Sequence, residues 1–421
     1  MSVIVEVAFL GGIYPDDISK IQQNSKAPLD YAADAYQKKY LSYLQKMFAK
    51  EISIFSRLVV GSWPINYRLP FVFEKGKSRF GIIDYINYCN VIGIRSISQR
   101  RATEKKIVKW YKEKVKEADS ILFVYSAVFA KEIIHIKKRC PNLKICYIIP
   151  DMPKYTYLSS NSILRKLVLW YRQKNFEEAC RHVDFCISIT EAMEQYIKNI
   201  STSPCKTIEA IADEQRCLEN LRRLEQLEMQ LKYKTNDMDE NKKIIILYSG
   251  TLAKIYGILD LLSAFQKIQN NNCVLYICGG GDAEPEVQEA TRRDDRIVYL
   301  GMLPNEQVKK LQNEADILVN PRKPEGEYTI YSFPSKTMEY LETGNLVISY
   351  MLAGIPDEYR KMLLCPDDSG LFMTLQYAIN MQIQEKIDKG KRNLHYLLEN
   401  KCGKALESIV NDLLSSKAGN I

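Results

Sequence analysis

The chain has 421 residues, 46% of them hydrophobic and 26% charged, with 11 cysteines and three histidines. This is the composition of a globular protein with room for two or three domains, and it excludes disorder over most of the length. A formal net charge of +8 points to an anionic partner, which could be phosphate groups, an anionic membrane surface or nucleic acid.

The opening "MSVIVEVAFLGG" has no basic flank and carries Glu6, so a first buried strand is expected rather than a signal peptide. No uninterrupted apolar run is long enough to span a bilayer. The cysteines form no CxxC pair and the histidines show no metal-ligand spacing. Reduced cytoplasmic thiols used in packing are expected, with no metal. Further along, "SILFVYS", "KICYIIP" and "FCISIT" are β-branched or aromatic runs separated by helix-like segments such as "EKKIVKWYKEKVKEA". That alternation predicts parallel strands joined by crossover helices. Residues 214–243 are rich in charge and poor in strand formers, and read as a helical excursion and linker. After them the alternation resumes with "IIILYSG", "GILDLLSAFQKI", "CVLYICGGG", "RIVYLG", "NEQVKKLQNEA", "DILVNP" and "NLVISYM". The expected organisation is an α/β domain over 1–213, the linker, a second α/β domain over 244–399, and a C-terminal helix in 400–421 that packs back on the first domain.

Doubly wound sheets bind ligands beyond the carboxyl ends of their strands, so the strand-to-loop junctions are the places to look for chemistry. In "LYSGTLAKIYG" a strand ends in Gly250 and Thr251, with Lys254 close behind. Glycine admits a phosphate to the backbone and lysine adds a point charge, although an ordinary strand-to-helix turn has the same letters. In "CGGGDAEPE", Gly279, Gly280 and Gly281 end the next strand. This is not the GxGxxG dinucleotide pattern, and close packing explains the glycines equally well. In "PRKPEGEYTIYSFPSKTMEYLETG" a loop with Arg322 and Lys323 leads to a helix expected to begin at Pro334 and stop at Gly344. Lys336 then falls in the first turn, where backbone N–H groups already make the helix end positive. A diphosphate held by Arg322, Lys323 and Lys336 would resolve that conflict. Glu339 lies on the same helical face three residues on, suited to vicinal sugar hydroxyls. A plain surface ion pair between Lys336 and Glu339 accounts for the same spacing.

Taken in order, "YSGTL…YG", "ICGGGD", "RIVYLGMLP", "ADILVNP" and "SFPSKTMEYLETGNLVI" resemble the donor-binding half of family 4 glycosyltransferases over residues 244–360. The resemblance implies a GT-B fold, with two Rossmann-like doubly wound domains facing each other across a cleft. It implies a retaining transferase that takes a UDP- or GDP-sugar as donor substrate and needs no other cofactor. Glu339, five residues before Gly344, matches the family's ribose-binding glutamate. Tyr331, Ser332, Pro334 and Ser335 lead into the same helix beside the donor, and Gly301, Met302 and Leu303 would lie near the nucleobase. Tyr331 stands where the family often has a second glutamate, and Thr251 and Tyr256 stand where it usually has arginine and lysine. Lys254 and Lys336 are then the cations available to the leaving diphosphate.

In the first half, Asp151 of "IIPDMPKY" ends a strand and is the candidate to contact the acceptor hydroxyl or act as base. A turn-forming aspartate is the alternative. Gly11 and Gly12 follow the first strand and would let donor or acceptor approach the backbone. The three histidines read as structural. Residues 163–174, "ILRKLVLWYRQK", combine an apolar stripe with Arg165, Lys166, Arg172 and Lys174, as a helix resting on anionic lipid would. A core helix with a solvated basic face has the same pattern.

The expected function is glycosyl transfer to a glycan or lipid-linked glycan in surface polysaccharide assembly, in the cytoplasm or peripheral on the inner face of the cell membrane. A GT-B epimerase and a non-catalytic nucleotide-sugar-binding protein are the alternatives. Nucleic acid is not an expected partner, because the basic residues are dispersed among acids and no recognised binding motif appears.

Overall fold

The computed structural model describes residues 5–27, 29–49, 51–74, 76–115, 119–155, 163–233 and 243–415, with residues 163–165 and 233 described by their backbone alone. Residues 234–242 of the expected helical excursion and linker, and residues 416–421 of the C-terminal segment, lie outside the described residues. The chain divides into two units, one of residues 1–211 with 403–421 and one of residues 212–402.

The first unit contains β1 Val5–Gly11, β2 Ser53–Ser56, β3 Phe71–Val72, β4 Gly76–Ser78, β5 Gly81–Tyr85, β6 Tyr88–Cys89, β7 Asp119–Tyr125, β8 Lys144–Ile149, β9 Phe185–Ser188 and β10 Cys205–Thr207. Eight of these form one sheet in the order β10-β9-β8-β7-β1-β2-β5-β4. It is parallel except for β4, which runs against β5. The central strands are covered on both faces, which is why β8 is buried at every position and is apolar throughout after Lys144. Strand order reverses between β1 and β7, whose registers pair Phe9 with Phe123. The helix Tyr31–Phe48 starts where Asp30 accepts a hydrogen bond from the Ala33 amide at 3.0 Å. It buries Tyr40, Leu41 and Leu44. The helix Lys404–Ser415 sends Leu406, Ile409, Val410 and Leu413 into the same core as Val7 and Ile121.

The second unit contains β11 Ile244–Ser249, β12 Cys273–Cys278, β13 Ile297–Gly301, β14 Ile317–Asn320 and β15 Leu346–Ser349. All five are parallel, in the order β13-β12-β11-β14-β15. The chain winds outward from β11, then returns to lay β14 on its other side. That reversal opens a crevice at the carboxyl ends of β11 and β14, the place where doubly wound sheets hold ligands. Phe265, Leu275, Val287 and Leu375 anchor the core between sheet and helices. The helix Glu214–Tyr233 packs on the helix Ile383–Asn400, tied by Lys391 to Glu228 at 2.9 Å.

Both units are thus Rossmann-like, as the alternation of strands and helices predicts. All eleven cysteines are free thiols and eight of them are buried.

Candidate functional site

The loops after β11, β12 and β13 are stitched together through backbone groups. Gly250 N donates to Cys278 O at 3.0 Å, Leu252 N to Gly280 O at 3.0 Å, and Gly279 N to Gly301 O at 2.9 Å. Gly279 has φ +140°, and a Cβ on it would sit 1.8 Å from the Gly250 carbonyl oxygen. A Cβ on Gly281 would meet the Leu252 carbonyl oxygen at 2.4 Å. The glycine run therefore permits loop-to-loop contact, the packing reading raised by the sequence. Gly280 faces the Met302 thioether, Gly301 takes φ +67° with open space around it, and Met302 is 67% exposed beside the partly buried Leu303. Thr251 is exposed, and its carbonyl accepts from the Tyr248 hydroxyl at 2.6 Å.

Beyond β14, the Arg322 guanidinium lies between the rings of Tyr256 and Tyr328, 5.0 and 4.9 Å from their centroids. Lys323 is paired with Asp260 at 3.0 Å. Tyr331 closes a short 3-10 turn, Glu327–Tyr331, and Ser332 and the buried Pro334 lead into the helix Ser335–Leu341. That helix is shorter than expected. Pro334 is its N-cap rather than its first residue, and no side chain caps the amides that follow. At the other end, Thr343 N and Gly344 N bond to Tyr340 O and Leu341 O, tightening the last turn before Gly344 takes φ +70°. Ser335 is exposed and Lys336 lies in the first turn, as expected.

Lys336 Nζ meets Glu339 Oε2 at 2.6 Å, with both side chains partly exposed. The two residues brought together by spacing are therefore in contact. The Lys336 charge also reaches Cys278 at the end of β12, where it opposes the burial that pushes the thiol up to about 11. So Lys336 stands beside the carboxyl ends of the strands. Lys254 does not join it: its amine is engaged by Glu286 and its amide by Asp282 at 2.9 Å. Arg322 and Lys323 likewise have the partners named above.

Beneath Glu339 lies a buried polar network that the sequence did not signal. Tyr340 hydroxyl accepts from Ser249 N at 2.9 Å and lies 3.1 Å from Ser249 Oγ. Gln312, fully buried, donates from Nε2 to Ser249 Oγ at 3.1 Å and lies 3.5 Å from Glu339 Oε2. Its oxygen accepts from Arg216 Nη2 at 2.8 Å.

In the first unit the loop after β1 is already occupied. Gly12 N donates to Gln37 Oε1 at 2.8 Å, Ile13 N to Ser56 Oγ at 2.9 Å and Tyr14 N to Asp34 Oδ1 at 2.9 Å. A Cβ on Gly11 would strike Gln37 and one on Gly12 would strike Val59, so the closest approach to these glycines is made by the chain itself. Asp151 follows β8. Its side chain is reached by solvent, yet it is closely surrounded by protein, and the loss of hydration pushes its carboxyl up to about 6, with the Asp30 charge a second cause. Ser126, at the end of β7, has φ +86°. Strained non-glycine backbone of this kind collects at functional sites, and no pattern in the letters marks it. On the helix Ile163–Cys180, Leu167, Val168, Trp170 and Tyr171 are exposed, and Lys131 lies over the Tyr171 ring at 4.3 Å.

Residues 243–379, which hold the whole Ser249–Glu339 region, match the family of glycosyl transferases group 1. No curated sequence matches the chain. Solved structures of the same fold cover nearly all of it. An E. coli structure described as trehalose-6-phosphate bound with UDP-2-fluoro glucose has a TM-score of 0.60 at 12% identity, covering 97% of this chain and 99% of its own. Sucrose-phosphate synthase from Thermosynechococcus elongatus has a TM-score of 0.60 at 15% identity, covering 97% and 100%. A UDP-forming α,α-trehalose-phosphate synthase from Burkholderia xenovorans, in complex with glucose-6-phosphate, has a TM-score of 0.61 at 12% identity, covering 97% and 100%. The fold is GT-B. Joined to the matched domain, it defines a glycosyltransferase of the GT-B class. Among the described residues no helix is long and apolar enough to cross a membrane, and no cluster of three or more metal-ligating side chains occurs.

Proposed function

We propose that the protein is a family 4 enzyme that moves a sugar, with retention, from a UDP- or GDP-sugar to a hydroxyl of a glycan or lipid-linked glycan in surface polysaccharide assembly. The observation that carries the donor half is the pair at the crevice of the second sheet. Lys336 and Glu339 touch at 2.6 Å, with Lys336 in the first turn of a helix whose start has no side-chain cap and Glu339 one turn on. A diphosphate there gains both the ammonium and the amides, and the ribose hydroxyls gain the carboxylate. Breaking the anomeric C–O bond leaves negative charge on the departing diphosphate, and preorganised positive groups lower that barrier. The complex of the E. coli neighbour with UDP-2-fluoro glucose supports a nucleotide sugar as donor.

On the acceptor side, a carboxyl raised to about 6 suits a base that works near neutral pH, and this supports Asp151 in contact with the acceptor hydroxyl. A membrane-facing acceptor is supported by the helix Ile163–Cys180, where Trp170 is 61% exposed and Leu167 58% beside Lys166, Arg172 and Lys174. The first unit adds a second apolar surface, with Phe71 and Phe73 exposed and their ring centroids 6.0 Å apart. Residues 57–101, which carry it, hold eight Lys or Arg against two Asp or Glu. Basic and apolar side chains in this mixture fit the inner face of an anionic bilayer.

The deciding experiment incubates the protein with a panel of UDP- and GDP-sugars and measures which one raises the melting temperature. That donor is then offered with and without glycan acceptors. Transfer supports the proposal, conversion of the donor alone indicates an epimerase, and binding without turnover indicates a non-catalytic protein. No thermal shift with any donor at millimolar concentration overturns the donor site.

A further inference from the structure

The ribose contact proposed for Glu339 depends on where its carboxylate is held, and the side chains that hold it come from distant parts of the second unit. Gln312 is fully buried and Arg216 nearly so, at 8% exposure. A guanidinium has only donors, so the Gln312 oxygen must be the atom 2.8 Å from Arg216 Nη2. The amide nitrogen is then turned the other way, toward Ser249 Oγ at 3.1 Å and Glu339 Oε2 at 3.5 Å. Were the amide flipped, its NH2 would face the guanidinium and its oxygen would face the carboxylate, and both contacts would be repulsive.

Arg216 is itself fixed. Its Nη1 lies 3.5 Å from Glu342 Oε2, a carboxylate only 1% exposed. The other Glu342 oxygen accepts from Asp213 N at 2.9 Å, and Asp213 Oδ1 accepts from Arg216 N at 3.2 Å. Lys336 approaches the same Glu339 oxygen from the partly exposed side at 2.6 Å. One carboxylate oxygen is thus flanked by an ammonium and by an amide whose direction is set from behind.

We infer that Gln312 and Arg216 are positioning residues for ribose recognition: Arg216 orients the Gln312 amide, and the amide holds the Glu339 carboxylate in the pose that accepts the two ribose hydroxyls. This rests on the reading of Glu339 as the ribose contact. Neither residue touches the nucleotide. Their effect is confined to the hydroxyls, which separates this role from a general contribution to folding.

The test is calorimetric titration of the full chain with UDP and GDP, each beside its 2′,3′-dideoxy analogue. The wild type is expected to bind the cognate ribonucleotide about tenfold or more tightly than the analogue, the size of a hydrogen bond pair to a charged group. In Gln312→Met and in Arg216→Lys, which keeps the charge but loses the planar fork, that ratio is expected to fall below about threefold, while affinity for the analogue stays within about twofold of the wild type. Should one variant fail to fold, the other makes the same comparison. A ratio that survives in the folded variants overturns the inference, and so does an equal loss for both nucleotides. Glu339→Gln distinguishes the two levels. If it keeps the full ratio, the ribose reading itself falls. If it abolishes the ratio while the Gln312 and Arg216 variants keep it, only the positioning role falls.

Discussion

Gly279→Ala is expected to loosen the second unit far more than one methyl group would suggest. The new Cβ would lie 1.8 Å from the Gly250 carbonyl oxygen, where ordinary contact begins near 3.4 Å. The loops after β11 and β12 must therefore separate by more than an ångström. That movement breaks the bonds from Gly250 N to Cys278 O and from Gly279 N to Gly301 O, 3.0 and 2.9 Å long, each worth about 1 kcal/mol. A side chain at φ +140° adds about 1–3 kcal/mol of backbone strain. The sum is about 3–5 kcal/mol, which for a unit of this size lowers the melting temperature by roughly 10 °C. Gly250→Ala is the comparison, because the nearest atom to its new Cβ is the Tyr248 hydroxyl oxygen at 3.5 Å. That variant should melt within about 2 °C of the wild type, an ordinary result for a surface change. Differential scanning calorimetry of the two variants decides the matter. If Gly279→Ala melts with the wild type, the claim that the glycine run exists to bring two backbones together is wrong.

Lys336→Ala should weaken nucleoside diphosphate binding roughly tenfold or more in a calorimetric titration, the loss of a charge-assisted contact. Lys323→Ala, whose amine is spent on Asp260 at 3.0 Å, should cost under about threefold by the same scale. Equal small losses would return Lys336 and Glu339 to a plain surface ion pair. The carboxyl of Asp151, raised to about 6, is protonated below that pH and becomes a base above it. Activity should therefore rise through about pH 6, and Asp151→Asn should remove that limb from the kcat/KM profile. The sign for stability is opposite: because ionisation is disfavoured in the folded chain, stability is lost as pH rises from the ordinary aspartate range to about 6. Finally, Trp170→Ser combined with Lys166→Glu should markedly reduce co-sedimentation with phosphatidylglycerol vesicles, the surface around Phe71 and Phe73 retaining the remainder, while leaving nucleotide affinity intact. Undiminished sedimentation would remove that helix from any membrane contact.

The second unit was readable because its inner strands are largely buried on both faces, so "IIILYS", "CVLYIC" and "ILVN" stand out as apolar runs. The region between β1 and β7 was not. Strands β2 to β6 are two to five residues long, and the outer ones alternate, with Ile82 exposed and Ile83 buried. They exist because neighbouring strands supply the ladder, and local letters carry little of that. The same division runs through the site. Lys336 and Glu339 meet through helical spacing, which a sequence displays directly. Gln312 and Arg216 meet across 96 positions, and a buried pair so far apart leaves no local pattern. The helix Ser335–Leu341 ended early for a third reason: Thr343 Oγ1 donates to Tyr340 O at 2.6 Å, offering the backbone an alternative to another helical turn.

The helix Lys404–Ser415 has a consequence for how the protein is made. Leu406, Ile409, Val410 and Leu413 complete a core that Val7 and Phe9 begin, so the unit synthesised first is the one finished last. Residues 212–402 can fold as they leave the ribosome, while the nascent first unit waits with an apolar groove uncovered, a period in which such surfaces attract chaperones or other chains. Shortening the chain before Leu406 would leave that groove open permanently.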